Sequence, residues 1–209
     1  SSSIRVNRFE LAFALAGLER HDEAIPCLER ALGHDGRDAE GLFALAGALE
    51  RGYTASTLLP DLPLTFGAQE GYRPENFDRR SRGPVRLRTA LASSLNVPAV
   101  YLLSRLGLEE FLALCDDLGM AIPEDAAARA GLGAAVGNLE VSLLELVRAF
   151  SVFPGKGLLP EVRVIREVET AEDRRVPTGE TGEGTEAKGV RIFGEQTAWL
   201  ISDILADPA

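Results

Sequence analysis

Tyr72-Arg-Pro-Glu-Asn-Phe-Asp78, then Gly83-Pro-Val-Arg-Leu-Arg-Thr-Ala-Leu-Ala-Ser-Ser94-Leu-Asn96-Val-Pro-Ala-Val100, is the stretch on which the reading of this chain turns. Before it, Pro60, Pro63, Gly67, Gly71 and Pro74 interrupt any regular period, which predicts an extended loop with a short strand near Leu62 to Phe66. Within and after it, aliphatics recur at helical spacing over 86–95 and 98–106. Pro98 falls where a first-turn proline is tolerated, and Asn96 just upstream is placed as a cap. Ser94 and Asn96 stand two apart, so in an extended or turning segment their side chains point the same way while Leu95 packs behind. Taken alone, a Ser and an Asn before a helix are as readily explained as caps.

Outward from this stretch the chain divides into three. Residues 8 to 52 alternate charge and aliphatics at helical spacing, and an offset of 34 superposes Phe9 on Phe43, Leu11 on Leu45, Ala12 on Ala46 and Leu15 on Leu49. Further along from 100, helical patterns run at 108–118 and 140–153, with Glu140 placed at a helix start. Val162, Val164, Ile165 and Val168 alternate among charges as one strand of a half-buried hairpin, and Val190 to Phe193 is a weak second strand. Between them Thr178 to Glu186 is polar and glycine-rich and reads as a loop. A last helix is expected from Glu195 to Leu205.

Bulk composition narrows the function classes. Hydrophobic residues at 45% and charged residues at 26% fit a globular protein. A formal charge of -10 argues against a nucleic-acid partner, because neutralising phosphates needs surplus cations. No apolar run approaches the roughly 20 residues of a membrane span, and Ser1 to Asn7 does not read as a signal peptide. The chain opens on Ser, so it reads as a segment of something longer. Cys27 and Cys115 are expected as small buried hydrophobes, with no metal site and no cofactor implied. His21 and His34 read as turn residues. Glu109, Glu110, Asp116 and Asp117 read as solvated charge, since adjacent helical residues face about 100° apart. Arg79, Arg80, Arg82, Arg86 and Arg88 form a local basic run, open to two readings: attraction to an anionic partner, or a surface paired with the abundant acids. Lysine is scarce, with only Lys156 and Lys188.

The 72–100 stretch closely resembles the transpeptidase domain of class A penicillin-binding proteins, the 1C type fitting best. Leu49-Glu-Arg-Gly-Tyr-Thr54, Leu58 to Phe66, Gly137-Asn-Leu-Glu-Val-Ser-Leu-Leu-Glu-Leu146 and Ala198-Trp-Leu-Ile-Ser-Asp-Ile-Leu205 extend the likeness over residues 49 to 209. Residues 1–48 resemble a tetratricopeptide-type helical hairpin, one repeat and the first helix of a second. The fold this implies is mainly α with a few short strands, an α+β partial transpeptidase preceded by that hairpin. Exposed apolar faces are expected where the family's central sheet would pack.

The chemistry the resemblance implies is acyl transfer. A serine in S-x-x-K attacks the D-Ala-D-Ala amide of a peptidoglycan stem peptide, and β-lactams enter as acylating mimics. A second motif, S-x-N, relays protons and holds the substrate backbone; a third, K-T-G, binds the substrate carboxylate. Ser94-Leu95-Asn96 is the S-x-N match, so Ser94 and Asn96 are the candidate catalytic residues. No Ser in the chain has Lys three residues later. Counting back from Leu49-Glu-Arg-Gly52, the family nucleophile aligns with Asp38 and its lysine with Gly41, and no K-T-G is present. Three accounts follow. The chain is a catalytically inactive transpeptidase segment on the outer face of the inner membrane, or a scaffold or regulator binding a protein partner through its repeat-like helices. The third is an artefactual join near residues 41–49, where both patterns claim the same residues.

Overall fold

Residues 42 to 49 combine aliphatics, alanines and Phe43 with no charge, and this composition makes a helix buried on nearly every side. In the computed structural model, which describes residues 39–67, 71–162, 168–169, 175–176 and 189–206, that helix is α1, Ala39–Glu50. It runs across the domain boundary expected at residue 48 and lies at the centre of the core. The repeat-like residues before it fall outside the described residues, as do His21, His34, Cys27 and Asp38.

Strand β1 (Leu58–Asp61) pairs antiparallel with β2 (Gly83–Arg86), placing Pro60 opposite Pro84. Two residues without N–H groups fit a position that makes no ladder hydrogen bond. The strand expected at Leu62 to Phe66 therefore lies upstream; Phe66 makes only an isolated bridge to Tyr72. From β2 the chain passes directly into α2 (Leu87–Ala92), then α3 (Asn96–Leu106) and α4 (Leu108–Asp117). Gly107 joins the last two at φ 99°, a conformation that suits glycine. On α4, Phe111, Leu112 and Cys115 face inward. The four carboxylates Glu109, Glu110, Asp116 and Asp117 are exposed, as expected of solvated charge.

A short helix α5 (Ala126–Ala130) continues into a 3₁₀ segment, Gly131–Val136, which packs its alanines against α1 and α3. Helix α6 (Leu143–Phe150) begins at Ser142, not at Glu140. Ser142 accepts from the Glu145 backbone N–H while the Glu145 carboxylate accepts from the Ser142 N–H, a reciprocal cap that Glu140 could not form. Glu140 instead pairs with Arg129 at 3.1 Å.

Strand β3 (Leu158–Pro160) pairs with β6 (Gly189–Arg191), and β4 (Val168–Glu169) with β5 (Arg175–Val176). Residues 163–167 of the strand expected over 162–168 lie outside the described residues, and the strand expected at Val190 to Phe193 pairs, through 189–191, with 158–160. The reason is the turn after α6: Gly157, at φ 85°, sends Leu158 back along the 189–193 segment, and its carbonyl accepts from Ile192 N–H at 2.9 Å. Helix α7 (Glu195–Ala206) closes the fold, with Glu50 accepting from Gly194 N–H at 2.9 Å. The architecture is mainly α with a few short strands. Phe43, Phe150, Phe153 and Phe193 form the aromatic centre, with ring centroids 5.1–6.2 Å apart. Among the described residues no helix is long and apolar enough to cross a membrane.

Candidate functional site

The Ser94-Leu95-Asn96 turn is made by the way α2 ends. Ser94 N–H donates to Leu91 O at 3.1 Å and Leu95 N–H to Ala90 O at 2.9 Å, with Ser94 at φ 46°. This is the paired bonding of a Schellman motif, in which the left-handed residue is usually Gly. Serine at that position carries a left-handed penalty of about 1–2 kcal/mol. The buried Leu95 packs behind the turn, at 4% exposure. Ser94 itself is exposed and Asn96 half-buried.

Helix α3 starts at once, with Leu95 as its cap residue and no side-chain cap bond there. Asn96, expected as the cap, is the first helical residue; its Nδ2 donates across to Glu75 O at 3.0 Å. Asn76 supplies the missing acceptor, its Oδ1 taking the Val97 N–H at 3.2 Å. Its Nδ2 donates to Asp61 Oδ1 at 2.6 Å and to Arg80 O at 2.8 Å. Asp61 Oδ2 in turn accepts from Arg82 N–H at 2.9 Å. Asp61 and Asn76 are the only buried polar side chains among the described residues, at 0% and 5% exposure. Sequence reading missed both. Asn76 lay inside the stretch that decided the fold, yet nothing in its spacing says that it is buried.

Ser94, Asn96 and Gly41 border one small cavity of about 20 Å³, closed further by Leu42, Leu45 and Ala99. That holds about one water. No cation lines it. A Cβ on Gly41 would meet Ala135 O at 3.0 Å and the Ala99 methyl at 3.4 Å, so helix and 3₁₀ segment approach each other through the missing side chain. Gly41 thus faces the Ser94-Leu95-Asn96 turn without a side chain.

Two arginines of the basic run are held in ion pairs. Arg82 pairs with Asp78 at 2.8 Å, and Arg88 with Asp203 on α7 at 2.9 Å, while Arg79, Arg80 and Arg86 are exposed. The Arg80 backbone N–H holds the Asp78 carboxyl below its usual range. A separate open groove of about 1130 Å³ runs between Leu49, Phe153 and α7, with Trp199 66% exposed at its side. No cluster of metal-ligating side chains occurs among the described residues.

Comparison with known proteins places this geometry. The family described as penicillin binding protein transpeptidase domain matches residues 42–208. Penicillin-binding protein 1F of Bacillus subtilis is 33% identical over 158 residues, covering 75% of this chain and 20% of the relative. Penicillin-binding protein 1C of Escherichia coli is 28% identical over 168 residues, 80% of this chain and 19% of the relative. The chain therefore spans about a fifth of the length of these relatives. Among solved structures, penicillin-binding protein 1A of Haemophilus influenzae superposes with a TM-score of 0.65 at 24% identity, over 78% of this chain and 28% of that one. Penicillin-binding protein A of M. tuberculosis, as its imipenem acyl-enzyme, gives 0.66 at 17% identity, over 80% and 42%.

Proposed function

Because this chain belongs to the penicillin-binding protein transpeptidase family, we propose that it serves peptidoglycan assembly as a member carrying the S-x-N corner of an acyl-transfer cleft without the attacking group. The observation that carries the reading is the shared cavity of Gly41, Ser94 and Asn96. A serine attacks an amide only if its proton is taken as the bond forms. At the place aligned with the lysine that would lower that cost there is no side chain, and at the place aligned with the nucleophile the sequence has Asp38. Loss of nucleophile and base together costs about 10⁶-fold in turnover in an activated-serine enzyme.

The ligands follow from the same reading. Stem peptides ending in D-Ala-D-Ala, and β-lactams, are the molecules that such a corner is shaped to meet; a relative of this fold is known as an imipenem acyl-enzyme. The working place is the outer face of the inner membrane. Apolar positions left exposed, Trp199 and Leu144 among them, are surfaces on which the family's central sheet would pack. A scaffolding role is the second reading, favoured by the 34-residue self-similarity between Phe9–Leu15 and Phe43–Leu49. Intact mass after incubation with excess penicillin separates them from an active enzyme. The mass is expected to stay unchanged, and a gain of one drug mass would overturn the proposed inactivity.

A further inference from the structure

We infer that Asn76 is the positioning residue of the Ser94-Leu95-Asn96 turn, acting through the Val97 amide with Asp61 as its buried anchor; the functional sense of this rests on reading that turn as a cleft corner. A helix leaves its first N–H groups without internal partners, and Leu95 at the cap has no side-chain acceptor to offer. Val97 is buried, so water cannot serve it either. Asn76 Oδ1 takes this proton from a different part of the chain, 21 residues away.

Every polar atom of the Asn76 amide has work. Oδ1 accepts from Val97, and both hydrogens of Nδ2 are used, on Asp61 Oδ1 and on Arg80 O. Turning the amide over would set a donor against the Val97 donor and an acceptor against the Asp61 carboxylate, so the network admits one orientation. Asp61 is itself held by Arg82 N–H from the far side. The neighbouring Glu75 carbonyl takes Asn96 Nδ2, so residues 75 and 76 grip the last residue of the turn and the one that follows it. Ser94 meanwhile sits at φ 46°, a conformation that persists only where its surroundings enforce it. A buried, fully satisfied network is suited to that, because breaking any one bond strands a partner.

The test is nuclear magnetic resonance on the 209-residue chain with no β-lactam present. In the unaltered protein, a through-hydrogen-bond correlation is expected from the Val97 amide nitrogen to the Asn76 side-chain carbonyl carbon. Its absence would overturn the proposal even if no variant folds. Asn76→Asp sets two carboxylates together, and Asp61→Asn two amides. Each is expected to speed Val97 hydrogen exchange by about tenfold or more and to move the Ser94 and Asn96 amide signals, with α7 amides such as Ile201 unchanged. The double variant again faces one carboxylate with one amide and keeps an acceptor for Val97, so it should recover most of the protection. Lowered melting temperature with Ser94 and Asn96 signals unmoved would reduce Asn76 to a structural residue and overturn the inference. A penicillin adduct would count against the proposed inactivity alone, and a fast-exchanging Val97 against the positioning role alone.

Discussion

At the scale of single residues, Ser94 is where stability and placement conflict. It occupies the left-handed position that closes α2, where glycine would relieve the backbone. Ser94→Gly removes a penalty of about 1–2 kcal/mol but frees the unfolded chain by about 0.4–1 kcal/mol. The net expectation is a gain of about 0.5 kcal/mol in denaturant unfolding, and a clear loss would mean that the serine hydroxyl contributes to the turn. Gly41 is the converse case. Its lack of a side chain lets α1 approach the Ala135 carbonyl, and the space is now occupied by that contact. A Cβ there would require the Ala135 carbonyl to give way by a few tenths of an ångström.

Helix ends decide most of what the elements do here. Helix α3 draws its cap from Asn76, α7 from Glu50, and α6 is capped locally by Ser142 and Glu145. Removal of the Ser142 hydroxyl by Ser142→Ala should cost about 1 kcal/mol, measured by thermal or denaturant unfolding. Glu145 adds a pH dependence. The Ser142 backbone N–H, its largest influence, holds the Glu145 carboxyl below the ordinary glutamate value. A group whose pKa falls on folding stabilises above its unfolded pKa, and that contribution fades as pH drops through the lower folded value. Glu145→Gln keeps the cap's shape without the charge. The wild type should therefore lead the variant at neutral pH and lose that lead on acidification, a comparison read from melting temperatures across the acid range.

Across the whole molecule, the four phenylalanines join segments far apart in the chain. Phe43 on α1 meets Phe150 at the end of α6 and Phe153 just after it, and Phe153 stacks on Phe193 before α7. Phe43 is fully buried, so Phe43→Ala should cost about 3–5 kcal/mol, by transfer and cavity terms together. Denaturation midpoint at constant slope measures it; a cost near 1 kcal/mol would mean that the centre collapses around the gap. The same cluster ties α1 into the core. Its apolar faces are satisfied by α3, α7 and the 3₁₀ segment, all downstream in sequence.

The sequence by itself determined the family and the predominance of helix, because these depend on local pattern and on a contiguous run from Tyr72 to Val100. It also determined that no Ser in the chain is followed by Lys three residues later, since identity needs no coordinates. Only the tertiary structure decided that β1 lies at Leu58–Asp61, that β3 takes β6 as its partner, and that Asp61 and Asn76 are buried together beside the turn. Strand partners and polar burial arise between residues distant in the chain, where the free energy of a hydrogen bond depends on what excludes water from it, and no period or spacing carries that information.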